Sequence, residues 1–164
     1  MLRSTLPSLM VLCILAGCGK TDSPPATANV APAQPAADKE SKTACELVTQ
    51  EEMSTILGGP VVAKNTDRTG KTECIYSSTA TVGPYAELTV EWGSGAAAMQ
   101  AMGMLNSREP GLTSPYDGIG DQAVATGPAL MIQTGEDLVT IVLSIEGDVP
   151  AAAKRIFDTA KARM

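Results

Sequence analysis

Few side chains in this sequence are able to carry reaction chemistry, and their spacing narrows the field further. No histidine occurs among the 164 residues. That removes Ser-His-Asp and Cys-His nucleophilic arrangements and nearly all ordinary zinc sites. Cysteines stand at positions 13, 18, 45 and 74. Cys45 and Cys74 are far from the close Cys-x-x-Cys spacing of a redox pair, so a disulfide between them is expected to be structural. On the chain-entropy argument, closing a loop of about 30 residues contributes roughly 3–4 kcal/mol. With both in a disulfide, no thiolate nucleophile remains beyond residue 43. No Gly-x-x-x-x-Gly-Lys-Ser/Thr element is present, and Gly118-Ile119-Gly120 is too short for a dinucleotide loop. Carboxylates alone can run glycan hydrolysis. Glu87 and Glu91, however, fall on the wet face of one strand, and Asp117 and Asp121 flank glycines as turn-capping residues do. Asp117 and Asp121 also lack the spacing and oxygen count of a calcium loop. No catalytic residue, metal or cofactor is expected.

Two features could bind without catalysing. From Ala96 to Leu105 the chain carries Met99, Met102, Met104 and Leu105 with Gln100 as the one strongly polar residue. Methionine fills gaps in cores and equally makes adaptable binding surfaces, and both readings stay open. The adjoining loop, Asn106 to Asp121, holds Tyr116 between Pro115 and Asp117, an aromatic able to anchor a contact. Met99, Met102, Tyr116, Asp117 and Asp121 form the candidate binding set.

The elements that must position these residues are legible. Thr49-Gln50-Glu51-Glu52 is a capping box, with Val48 and Met53 able to form the hydrophobic staple. Met53, Ile56 and Leu57 make one stripe, and Gly58-Gly59-Pro60 stops the helix. Short strands are expected at 61–63 and 73–77 across a polar turn. Tyr85 to Trp92 alternates as a half-buried strand should. Gly93-Ser94-Gly95 breaks it, and Ser94 is placed to cap a helix through about Leu105. Strands at 122–126, 129–133 and 138–145 follow, with turns at Gly127-Pro128 and at 134–137. The last helix opens at Asp148 with Pro150 in its first turn. Val149, Ala153, Ile156 and Ala160 form its expected buried stripe, and Lys154, Arg155, Lys161 and Arg163 point outward. The expected fold is α+β: an antiparallel sheet of about six strands with two or three helices packed on one face. The element order hints at a helix-strand-strand-strand pseudo-repeat. The disulfide would pin the start of the first helix to the sheet.

Residues 1–17 have the form of a secretory signal: Arg3, an apolar run through Leu15, then Ala16 and Gly17. The run is too short to remain as a membrane-spanning helix. Leu15-Ala16-Gly17-Cys18 resembles the lipobox of bacterial lipoproteins. The resemblance implies diacylation of the Cys18 thiol, cleavage after Gly17 and acylation of the new amino terminus, hence stable membrane attachment. In such lipoproteins Gly19, in place of Asp, points to the outer membrane facing the periplasm, if the source is Gram-negative. Residues 18–43 then read as the lipidated terminus and a disordered Pro/Ala-rich tether. Its prolines at 24, 25, 32 and 35 favour extended chain with a reach on the order of 70–80 Å. Residues 44–164 form one domain.

A second resemblance covers that domain. Cys45-Glu46-Leu47-Val48-Thr49, Leu57-Gly58-Gly59-Pro60-Val61, Cys74-Ile75-Tyr76 and Gly118-Ile119-Gly120-Asp121-Gln122-Ala123 occur in series. The series is similar to the pattern of small secreted bacterial lipoproteins, whose biochemical roles are mostly unassigned. It implies the fold and the disulfide and no activity.

The formal charge of −6 becomes −7 once Arg3 leaves with the signal. That excludes nucleic acid, which needs a basic patch, and argues against adsorption to anionic headgroups. The function expected is a non-enzymatic binding or inhibitory module held out from the envelope, with a protein or small-ligand partner. The alternatives are a structural or assembly lipoprotein of a larger envelope complex and, more remotely, a carboxylate-dependent glycan hydrolase.

Overall fold

The computed structural model describes residues 42–164; the expected signal sequence, the expected lipidation of Cys18 and the expected tether up to residue 41 lie outside the described residues. Four helices are present: α1 (Ala44–Leu47), α2 (Gln50–Leu57), α3 (Gly95–Arg108) and α4 (Val149–Lys161). The strands are β1 (Val61–Asn65), β2 (Thr72–Ser78), β3 (Tyr85–Glu91), β4 (Ser114–Pro115), β5 (Gln122–Thr126), β6 (Ala129–Thr134) and β7 (Asp137–Ser144). Together they make one antiparallel sheet in the order β1-β2-β3-β7-β6-β5-β4. Every long strand expected from alternation is present. Two elements lie beyond those expected, the single turn α1 and the two-residue edge strand β4, both too short to carry a periodic signal.

The strand order gives the suspected pseudo-repeat a physical form. Two three-stranded meanders, β1-β2-β3 and β5-β6-β7, meet through their last strands, with Leu88 opposite Ile141 at the seam. The helices do not follow this symmetry. An antiparallel seam relates its halves by an axis normal to the sheet, which would put α2 and α3 on one face. Met53 of α2 instead joins the main core, whereas α3 begins against Gln133. Gln133 is opposite Leu138, and both alternate away from that core. Thus α1, α2 and α4 cover one face of the sheet, and α3 packs at one end of the other.

The covered face holds the core. Tyr76, Leu88, Ile132, Val139 and Ile141 meet Leu47, Val48, Met53, Ile156 and Phe157. The Tyr76 hydroxyl donates to the Val48 carbonyl at the C-cap of α1, satisfying a buried acceptor. Burial, and secondarily the charge of Glu52, pushes the Tyr76 pKa well above the ordinary tyrosine value.

The α2 N-terminus is built as its sequence predicts. Thr49 Oγ1 accepts from the Glu52 N–H at 3.3 Å, and Glu52 accepts from the Thr49 N–H at 2.9 Å. Val48 and Met53 are both fully buried. A second box precedes it: the Thr43 N–H and hydroxyl donate to the Glu46 carboxylate at 2.7 and 2.9 Å. Those bonds draw Thr43, read from sequence as the last tether residue, into the folded domain. The disulfide joins Cys45 of α1 to Cys74 of β2 across a sequence separation of 29. It ties the first turn of the domain to the sheet.

Three local expectations change. Ser94 makes no side-chain cap, and α3 runs on to Arg108. Its first turn is held instead by the Gly95 N–H donating to the Glu136 carbonyl at 2.8 Å. Val149 is 40% exposed rather than buried, and Ala152 and Phe157 complete the inner stripe of α4. Arg163 turns inward across α2 instead of complementing its own helix end.

Candidate functional site: an uncharged cleft at Tyr116

The five residues singled out for binding separate into three environments. Met99 is buried under α3 and Met102 is half-buried, while Met104 and Leu105 are exposed. The methionine-rich helix is thus part packing and part surface, and Met99 is not available to a partner. Asp117 is exposed at the loop tip. Asp121 is structural, since its carboxylate accepts the Gly135 N–H at 2.6 Å and its own N–H donates to the Gln133 carbonyl at 2.8 Å. The Gly-x-Gly-Asp stretch therefore welds the loop to the β6–β7 turn. Gly118 and Gly120 both have left-handed backbones, at φ 82° and 62°. A Cβ on Gly120 would stand 2.4 Å from Ile132 Cγ2.

The loop itself is ordered by side-chain bonds. Asn106 Oδ1 accepts from the Gly111 and Thr113 N–H groups, both at 3.2 Å. Beyond them β4 adds to the sheet edge, and the Tyr116 N–H donates to the Ala123 carbonyl at 3.0 Å. This places the half-buried Tyr116 ring against the core at the sheet's β5 side.

Tyr116 there walls a cleft of about 100 Å3 between the first turn of α4 and the ends of β5, β6 and β7. Ala125, Leu130, Ile141, Leu143 and Ala153 line it, with Val149 and Pro150 on the α4 side. No charged side chain faces it. The space follows from sequence: Ala125, Ala129 and Ala153 stand where larger residues would fill it. Asp148 caps α4 beside it, accepting the Ala151 N–H at 3.0 Å. A cleft of this size and lining takes one apolar side chain, the kind of pocket around which interface hot spots form.

The carboxylates considered for acid–base work are placed otherwise. Glu87 is half-buried on the second face and accepts from the Tyr85 hydroxyl at 3.1 Å. Burial, then Glu87, raises the Tyr85 pKa. Glu91 is half-buried on the same strand face, which is drier than its alternation predicts because α3 covers that end of the sheet. Among the described residues no group of three or more His, Cys, Asp or Glu side chains could hold a metal ion, and no helix is long and apolar enough to cross a membrane.

At the opposite end of α4 lies a second, polar pocket of about 450 Å3, between the β1–β2 hairpin and Trp92. Sequence reading missed it. The hairpin reads only as a polar turn, and nothing in the order of residues shows that Lys42 and Trp92 come beside it. Compared with family models, curated proteins and solved structures, the chain matches none of them.

Proposed function

We propose that the chain is a bacterial lipoprotein, anchored in the cell envelope through Cys18, whose domain is a non-enzymatic binding or inhibitory module. The observation that carries the binding role is the uncharged cleft walled by Tyr116, Ala125, Leu143 and Val149. It is sized for one apolar side chain of a protein partner.

Two further features support this reading. The Cys45–Cys74 disulfide suits an exported, oxidising location. The described chain starts at the other end of α4 from the cleft: Lys42 Nζ donates to the Arg163 carbonyl at 2.7 Å. The 13 residues of α4 separate the two ends by about 20 Å. The cleft thus stands clear of the point where the described chain enters the domain, which leaves it open to a partner.

The test is capture from envelope extract with the full-length protein and with Ala125→Phe, which fills the cleft. One stoichiometric partner, lost in the variant, is the expected result. Retention of that partner by Ala125→Phe would remove the cleft from the account, and no partner under varied conditions would sink the binding role.

A further inference from the structure

The polar pocket beside Lys42 has a hydrogen-bonding imbalance. Lys42, Thr43, Asp67, Arg68, Lys71 and Trp92 line it, with Thr72 beneath. Its one carboxylate, Asp67, is largely engaged. Asp67 Oδ1 accepts from the Thr72 hydroxyl at 2.6 Å and the Glu73 N–H at 2.9 Å, and Oδ2 accepts from Asn65 at 2.9 Å. Burial opposes ionisation of Asp67, but these three bonds outweigh it and hold its pKa below the usual carboxylate value. Glu73, only 3% exposed, lies behind the hairpin and cannot reach a ligand.

The donors, in contrast, have capacity to spare. Arg68 is 68% exposed, and among the described residues its side chain pairs with Glu73 alone, at 3.5 Å. Lys71 has one ionic partner, Glu73 at 3.3 Å, and Lys42 donates one hydrogen bond, to the Arg163 carbonyl. A guanidinium carries five N–H donors and an ammonium three, so most remain for a ligand. Three of the nine Lys and Arg residues between 42 and 164 converge on this pocket, in a chain whose net charge is −6. Asp67 in the wall, Glu73 behind it and Glu46 beside Thr43 offset part of that charge, so the exposed Arg68 and Lys42 heads are what the pocket presents to a ligand.

The walls are rigid. Arg68 and Lys71 close the hairpin by exchanging both backbone bonds, at 3.1 and 3.0 Å. On the other side Asp137 Oδ1 accepts from the Gly93 N–H at 3.0 Å, fixing the turn that carries Trp92. The backbone N–H groups of Thr66, Asp67, Arg68 and Lys71 are all satisfied internally. Among the described hairpin residues that leaves the turn-tip pair Thr69 and Gly70, too short a run to pair with a peptide strand.

We propose that this pocket binds an anionic group, carboxylate or phosphate, carried on a sugar ring. Arg68, Lys42 and Lys71 meet the anion, and Trp92 packs against the ring. A volume of about 450 Å3 falls within the range of small-molecule sites. Charge-assisted bonds from Arg and Lys supply orientation, and an aromatic wall supplies apolar contact. This site is separate from the Tyr116 cleft and stands whether or not that cleft has a partner.

Trp92 is the protein's one tryptophan, so its emission reports on this pocket alone. The full-length protein is titrated with trigalacturonate, with glucose 6-phosphate, with neutral maltotriose, with inorganic phosphate and with an acetylated Glu-Glu dipeptide. A saturable change in emission with trigalacturonate or glucose 6-phosphate is expected, the responding probe identifying the anion. Maltotriose should give none, and phosphate and the dipeptide should bind at least about tenfold more weakly. Arg68→Ala and Lys42→Ala should each weaken the sugar anion by about tenfold, the loss of one charge-assisted contact. Equal binding of maltotriose, phosphate or the dipeptide overturns the proposal. So does the absence of any saturable response up to about 10 mM, or unchanged affinity in both variants.

Discussion

Arg163 and Glu52, 111 positions apart, form a two-pronged ion pair: Nη1 and Nη2 reach the two carboxylate oxygens at 2.7 and 2.6 Å. Arg163 Nη1 also donates to the Leu47 carbonyl at 2.7 Å. One side chain past the end of α4 therefore holds both α1 and α2. Arg163 first, then the Thr49 N–H, brings the Glu52 pKa down from 4.5 to about 2. A lowered carboxyl pKa contributes stability that is fully present above about pH 4.5 and is lost as pH falls toward 2. Both side chains are about one-third exposed, so solvent screening reduces the energy. Arg163→Ala should cost about 1 kcal/mol at neutral pH, a few degrees in Tm. Glu52→Gln should flatten part of the loss of Tm on acidification between pH 4.5 and 2. An unchanged acid slope in that variant would assign the dependence to other carboxylates.

The Cys45–Cys74 disulfide closes a loop holding α2, β1 and most of the β1–β2 hairpin. Replacing both cysteines with alanine should lower unfolding stability by about 3 kcal/mol. Urea denaturation of the variant and of the reduced wild-type protein should agree in midpoint. A variant as stable as the oxidised protein would show that the α1–β2 packing suffices alone.

Two glycines of one motif should respond differently. Gly118 and Gly120 share left-handed backbones, but a Cβ on Gly118 meets nothing within 4 Å. On Gly120 it meets Ile132 Cγ2 at 2.4 Å and the Gln133 carbonyl at 2.5 Å. Gly118→Ala should cost about 1 kcal/mol from backbone strain alone. Gly120→Ala should cost about 2–3 kcal/mol, because the β6 backbone must also move. Equal costs, read by thermal unfolding, would mean that the loop yields more easily than its packing implies.

What the sequence shows and hides follows from the range of the interactions. Alternation in Tyr85–Glu91, the capping box at Thr49–Glu52 and the proline start of α4 are local signals, and the corresponding elements formed. The cysteine pairing was also legible, because one pair remained once Cys13 and Cys18 were assigned to the expected leader and lipidation site. The inward turn of Arg163 was not, since a charged residue near a helix end reads as solvent-facing until its partner across the fold is known. The side chosen by α3 was equally hidden: Met99 and Met102 register a buried stripe without naming the face it meets. Of the candidate binding residues, Asp121 caps a turn as its glycine neighbours suggest, whereas the place of Tyr116 in the cleft depends on which strands the loop's ends touch. The pocket at Lys42, Arg68, Lys71 and Trp92 joins three segments distant in sequence and left no local trace.

The proposed binding role places a partner at the cleft end of the domain. Its most direct test places a photoreactive residue at Val149, 40% exposed on the cleft wall, and separately at Leu105, 45% exposed on α3, in the full-length protein in cells of its source. Irradiation should give one discrete adduct from position 149, abolished by Ala125→Phe, and none of that mass from position 105. The same adduct from both positions, or an adduct at 149 that survives Ala125→Phe, would contradict the account.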